Sequence, residues 1–121
     1  MAYVVVDTTG RIVGMTDAYL EATQRTRSQL VGENIVEAFP DDPDDPDANG
    51  NQVLSDSLDR CFNSAKVEYL AIQRYDINLP GQGFVERYWR PVNAPVIGSN
   101  GKVQYVIHGS EDVTESVRRR S

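Results

Sequence analysis

Few residues in this chain are of a type that does chemistry, and each stands alone. His108 is the only histidine, Cys61 the only cysteine, and Arg90 sits among aromatic and apolar neighbours in Tyr88-Trp89-Arg90-Pro91-Val92. A lone histidine serves either as a hydrogen-bonded structural residue or as a contact to a ligand. Cys61 lies beside Leu58 and Phe62, which suits a small buried hydrophobe better than a reactive thiol. One cluster is acidic. Asp45, Asp47, Asn49 and Gly50 follow the opening of a calcium loop, D-x-D-x-N-G, and Asp56 falls at its twelfth position. Against calcium, Pro46 stands second, polar Gln52 takes the usually aliphatic eighth place, and Asp56 is shorter than a bidentate glutamate. A solvated acidic loop and a cation site are both open readings.

Enzymatic motifs are missing. The chain has no G-x-S-x-G, no H-E-x-x-H and no paired cysteines for a metal. Gly81-Gln82-Gly83 lacks a third glycine and sits in a hairpin, so it is no dinucleotide fingerprint. Asp76 and Glu86 are available as carboxylate bases, yet nothing marks either as perturbed. The expectation is a non-enzymatic protein.

Charge and size narrow the partners. The net charge is −6, and Glu37, Asp41, Asp42, Asp44, Asp45 and Asp47 supply six acids with no base among them. The other 12 acids balance the 12 lysines and arginines, so a neutral body carries one acidic loop. Such a surface repels phosphate backbones, and no nucleic-acid partner is expected. No apolar run is long enough to span a bilayer, so no membrane contact is expected. Asp7 and Arg11 interrupt the apolar start, which argues against a secretory leader. A single cysteine cannot form an internal disulfide, and a reducing cytoplasm is the natural location. At 121 residues the chain makes one domain with its own core.

The elements that must position these residues can be read from periodicity and end signals. Val4-Val5-Val6 and Ile12-Val13-Gly14-Met15 flank a Gly10 turn and predict a hairpin. Thr16 or Asp17 can cap a first helix. Thr26 with Gln29 has capping-box spacing, Gly32 suits a left-handed exit, and Asn34 with Glu37 repeats the capping pattern until Pro40. Pro40–Gly50 is a loop by composition, with three prolines and five aspartates. Leu54, Leu58, Cys61 and Phe62 then mark the longest amphipathic helix, roughly residues 52–64. The second half has strand character: Tyr69–Tyr75 alternates, Leu79–Gly83 turns, and Phe84–Ile97 is extended with Pro91 and Pro95 as bulge or edge markers. Gly98-Ser99-Asn100-Gly101 is a hairpin turn into Val103–His108. This order predicts an α+β domain, a five-stranded antiparallel sheet with short helices covering one face.

The order resembles the PAS domain family over nearly the whole chain. The opening hairpin through Ile12, the helix start Thr16-Asp17-Ala18-Tyr19, the L-x-G pattern in Leu30-Val31-Gly32, and the last strand leading to Asp112-Val113-Thr114-Glu115 carry the likeness. The resemblance implies one domain over 1–115, with 116–121 starting a linker or signalling helix. It implies a cytoplasmic sensor that binds a small ligand, dimerises, or both, ahead of an output domain such as a histidine kinase or diguanylate cyclase. Calcium regulation and a ligand-free dimerisation module are the alternatives.

The resemblance also sorts cofactors and site residues. Flavin photoreceptor members carry a reactive cysteine where this chain has Ile35 after Asn34, so no flavin adduct can form. Haem members take an axial histidine from the longer helix, and residues 53–65 contain none. The cofactor, if any, is left unidentified. On the last strand Val106, His108 and Ser110 share a face, and the resemblance turns that face inward. It likewise implies Tyr88, Arg90 and Val92 as the pocket-facing set on the preceding strand, with Trp89, Tyr105 and Ile107 outside for dimerisation. An inward Arg90 would need an anion, from Glu86, Asp76 or the carboxylate of a ligand, because an unpaired buried guanidinium costs several kcal/mol. An anionic small molecule is thus one reading; an internal carboxylate partner, or a bulge at Pro91 that turns Arg90 outward, are the others.

Overall fold

The computed structural model describes residues 1–120 of the chain. Its first strand, β1 (Ala2–Asp7), turns into β2 (Ile12–Met15). Asp7 ties that turn by accepting from Thr9 Oγ1 at 2.7 Å and from the N–H groups of Thr9 and Arg11 at 2.9 and 3.0 Å. These bonds, the Thr9 hydroxyl foremost, hold the Asp7 carboxyl below its ordinary range. Three short helices follow: α1 (Asp17–Thr23), α2 (Arg27–Leu30) and α3 (Ile35–Ala38). Thr16 caps the first, the reciprocal Thr26–Gln29 box opens the second, and the Asn34 side chain accepts from Val36 and Glu37 N–H at the third. Helices of one turn cannot stand alone in water, so caps and packing hold them together.

After the acidic loop comes α4 (Gly50–Ser64), which starts two residues earlier than its apolar period suggests. The remaining elements are β3 (Glu68–Tyr69), β4 (Gln73–Arg74), β5 (Ile77–Leu79), β6 (Gly83–Val85), β7 (Tyr88–Ile97), β8 (Val103–Asp112) and α5 (Thr114–Arg120). The main sheet is antiparallel in the order β2-β1-β8-β7-β3, and β4 also pairs with β7. Five positions across the sheet result, as expected, with β3 and β4 sharing one edge. The β5–β6 hairpin stands apart as a second, two-stranded sheet. Ser121, the last residue of the expected exit segment, lies outside the described residues; α5 begins at Thr114.

Two strands expected to be continuous are broken. Tyr69 pairs with Val92 and Gln73 with Trp89, so Leu70–Ile72, three residues, face only Arg90 and Pro91. Pro91 has no N–H for the ladder, and the edge bulges there. Leu70 N–H still reaches the Pro91 carbonyl at 3.0 Å. The long stretch 84–97 likewise breaks between β6 and β7 at Glu86 and Arg87.

Register decides what the inner face carries. On β8, Val106, His108 and Ser110 are all buried, facing Val6, Val4 and Ala2 of β1 on one side. On the other side they face Pro95, Asn93 and Pro91 of β7. Cross-strand partners share a face, so β7 turns Trp89, Pro91 and Asn93 inward. The expected set Tyr88, Arg90 and Val92 therefore lies on the opposite side. Arg90 is exposed and paired with Glu111 at 2.8 Å, Val92 stands opposite Gly109, and Trp89 is 8% exposed inside the core. A bulge explains the reversal. Next to the turn Ile97 pairs with Val103, but beyond it Val96 pairs with Tyr105, so Gln104 is an extra residue on β8. Without it Val92 would face His108, and Arg90 would face Ser110. One inserted residue flips every side chain of the partner strand.

Candidate functional site

The inner face, α1 and α4 line a cavity of about 60 Å³ that is partly open to solvent. Its walls are mostly apolar, among them Ala2, Phe39, Leu54, Ile77, Trp89 and Pro91. No aspartate, glutamate, lysine or arginine lines it. Trp89 is fixed by donating its Nε1–H to the Tyr75 carbonyl at 2.8 Å. Gly50 makes room at the start of α4, since a Cβ there would lie 2.5 Å from the Tyr75 ring.

Most polar groups in the wall are committed to the protein. The Thr23 hydroxyl donates to the Tyr19 carbonyl at 2.8 Å, Gln73 Nε2 donates to Asn49 Oδ1 at 2.9 Å, and the Tyr75 hydroxyl donates to the Phe39 carbonyl. Tyr19 is different. It stacks edge-on against Phe39 with ring centroids 6.0 Å apart, and its hydroxyl has no hydrogen-bond partner among the described residues.

His108 and Ser110 are the inner end of a chain of buried hydrogen bonds. Ser110 Oγ is 3.0 Å from His108 Nε2, and His108 Nδ1 is 2.8 Å from Asn93 Oδ1. Asn93 Nδ2 donates to Ser57 Oγ at 2.8 Å, and the Ser57 hydroxyl donates to Glu68 Oε1 at 2.7 Å. Glu68 in turn accepts two or more bonds from the Arg60 guanidinium, Nε to Oε2 at 2.9 Å among them. Asn93 and Ser57 are wholly buried, whereas the Arg60 side chain is 54% exposed. The relay therefore runs from the cavity to the surface.

Its direction follows from its outer end. Arg60 foremost, then the Ser57 hydroxyl, holds the Glu68 carboxyl below its ordinary range, so it is an acceptor only. Ser57 must spend its one proton there and accept from the Asn93 amide. Asn93 thus turns its carbonyl to His108, whose Nδ1 carries the proton. Burial lowers the imidazole to about 4, so it is neutral at pH 7 and its Nε2 is bare. The Ser110 hydroxyl donates to that nitrogen and leaves oxygen lone pairs for the cavity.

The sequence-based expectation of Val106, His108 and Ser110 on one inward face corresponds to the observed arrangement. His108 and Ser110 line the cavity, while Val106 is packed beneath it at 0% exposure. Tyr88, Arg90 and Val92 are not brought to the cavity, and with Arg90 outside the basis for an anionic ligand disappears. Asn93, Ser57, Glu68 and Tyr19 were not singled out from the sequence. Asn93 could have been found from the register with His108; nothing local marks the others.

The other chemically distinct residues are accounted for structurally. Cys61 is buried at 0% exposure, burial raises its thiol, and Sγ lies 3.7 Å from the Asn93 carbonyl. Ile35 is wholly buried in the core on α3. In the acidic loop, Asp42 and Asp45 accept from the N–H groups of Asp44 and Asp47, and Asp56 accepts from Gln52 on α4. Arg74, paired with Asp76 at 3.1 Å, lines with Asp41, Asp42, Asp45 and Asp47 a second, polar pocket of about 140 Å³. Among the described residues no three histidine, cysteine or acidic side chains converge as a metal site.

The comparisons with known proteins agree with this architecture. The sequence profile of the PAS fold family matches residues 2–66, and the chain belongs to that family. No curated protein matches it. Among solved structures, a sensory box sensor histidine kinase from Vibrio cholerae is 18% identical with a TM-score of 0.72, over 93% of this chain and 81% of that one. The PAS domain of a Colwellia psychrerythraea protein is 16% identical with a TM-score of 0.71, over 94% of this chain and 86% of that one. An RNA-binding light-oxygen-voltage receptor is 20% identical with a TM-score of 0.70; 98% of this chain covers 31% of that one. At these identities the likeness is one of fold. No helix among the described residues is long and apolar enough to cross a membrane.

Proposed function

We propose that this domain is a non-enzymatic cytoplasmic sensor whose cavity binds a small molecule and whose exit helix passes the occupancy to an output domain. The supporting observation is the buried polar relay. An otherwise apolar cavity keeps a His108–Ser110 pair at its wall, and that pair is hydrogen-bonded through Asn93 and Ser57 to Glu68 at the surface. A core built only for packing gains little from such a chain, because each buried polar group risks about 1–3 kcal/mol if left unpaired.

The exit is tied to the sheet. Thr114 Oγ1 accepts from Tyr88 N–H at 2.9 Å, the Asp112 carboxylate accepts from Thr114 N–H at 3.0 Å, and Arg118 reaches Glu86 at 3.3 Å. A displacement of β7 or β8 by a ligand is thereby carried into α5. A histidine kinase or a diguanylate cyclase is the output expected beyond residue 121. Native mass spectrometry of the domain purified from its host tests the reading: a retained small molecule supports it.

The second reading is a dimerisation module with a closed core. It draws on the outer sheet face, where Tyr3, 40% exposed, lies beside half-buried Val5, Tyr105 and Ile107. Sedimentation of the wild type against Ile107→Lys distinguishes association through this face from a monomer.

A further inference from the structure

We propose that the cavity selects a small uncharged alcohol, whose hydroxyl accepts a hydrogen bond from Tyr19 and donates one to Ser110. This rests on the reading above that the cavity binds a small molecule, and it names the chemical class.

Three observations carry it. The first is charge: no acidic or basic side chain lines the space, so an ionised ligand would enter without a counter-charge and lose its hydration uncompensated. The second is Tyr19. Every fully enclosed side-chain nitrogen or oxygen among the described residues has a partner, yet the Tyr19 hydroxyl has none, so it touches open space. Tyr19 is only 7% exposed and lines the cavity, and we place its hydroxyl there. A phenol held there without a partner offers a proton to whatever occupies it.

The third is the polarity of the relay. Glu68 fixes Ser57, Ser57 fixes Asn93, and Asn93 fixes the Nδ1 proton of His108. Ser110 then spends its proton on Nε2 at 3.0 Å and turns lone pairs inward. The wall thus presents one free donor and one free acceptor. A hydroxyl satisfies both; an ether or a ketone satisfies only Tyr19, and a hydrocarbon satisfies neither.

Size limits the rest of the molecule. The space of about 60 Å³ is well under half of a cavity of roughly 150 Å³ that admits benzene. A chain of about two or three carbons is then the upper limit, and it fits only with its far end in the open mouth of the pocket.

The test is a titration of the isotopically labelled domain followed by amide and imidazole NMR signals, with 1-propanol, ethyl methyl ether, propanoate and xenon as separate probes. Expected is saturable binding of 1-propanol that shifts Ser110 and His108, at least fivefold tighter than the ether, with propanoate not binding. Tyr19→Phe should weaken 1-propanol about tenfold and leave xenon unchanged. Because the Tyr19 hydroxyl bonds to nothing in the protein, this variant should fold like the wild type, and its melting temperature checks that. Xenon binding with 1-propanol no tighter than the ether would overturn the alcohol assignment and leave the ligand-binding reading standing. Propanoate binding tighter than 1-propanol would do the same. If neither xenon nor any other probe enters, both fall.

Discussion

Asn93 and His108 stand directly opposite on β7 and β8, and the Asn93 carboxamide oxygen accepts the Nδ1 proton of the imidazole at 2.8 Å. Removing Asn93 strands two buried groups at once, the imidazole N–H and an acceptor position on Ser57. Asn93→Ala should therefore lower the unfolding free energy by about 2–4 kcal/mol, combining lost bonds with a small void. Chemical denaturation measures it. In the wild type, ¹⁵N NMR at neutral pH should show His108 protonated at Nδ1. Protonation at Nε2 instead would mean that the relay runs the other way.

Acid should weaken the fold in a window set by His108. Its folded value is lowered to about 4 by burial, against about 6.5 when unfolded. Asn93 and Ser110 are the polar groups on it, and no charged side chain faces it across the cavity. As pH falls below 6.5, the unfolded chain takes up a proton that the native state refuses. Stability is thus complete above that pH and declines toward pH 4, by about 3 kcal/mol. His108→Asn keeps a donor for Asn93 without titrating. The comparison of wild type and variant between pH 7 and 4 isolates the effect, and parallel curves would exclude it.

Gly50→Ala should destabilise the domain although alanine favours helices. The new Cβ would sit 2.5–2.9 Å from three atoms of Tyr75, whose hydroxyl is held by the Phe39 carbonyl. Overpacking of this kind costs about 1–3 kcal/mol, which outweighs a helix-propensity gain of about 1 kcal/mol. Gly14→Ala is the control, because nothing lies within 4 Å of its Cβ position. Thermal melts should show a lower midpoint for the first variant only.

Arg90→Ala should change little. The Arg90–Glu111 pair has side-chain exposures of 54% and 46%, and exposed ion pairs contribute about 0–1 kcal/mol. Both the melting temperature and the affinity for 1-propanol should stay within error of the wild type. A tenfold loss of binding would place Arg90 functionally at the cavity, against its position.

These sites differ in how far the sequence exposes them. Helix starts are local chemistry: Thr16, the Thr26–Gln29 box and Asn34 each act within three residues, so type and spacing reveal them. The inward face of β8 shows in its period-two pattern. The inward face of β7 does not, because it depends on one extra residue, Gln104, several positions away across the hairpin. Tyr88, Arg90 and Val92 alternate as regularly as Trp89, Pro91 and Asn93, and only pairing chooses between them. Ser57 and Glu68 meet Asn93 from separate elements, which no spacing rule connects.

The interruption at Leu70–Ile72 governs how neighbouring molecules can meet. Its flank of the sheet offers two-residue fragments, β3 and β4, in place of an unbroken row of free amides and carbonyls. The far flank is blunted too: Ile12 exchanges bonds of 2.8 Å with Glu33 and Gly32, and Arg27 covers the Met15 carbonyl at 3.2 Å. Short, interrupted or covered rims of this kind disfavour pairing with a foreign strand and ribbon-like growth.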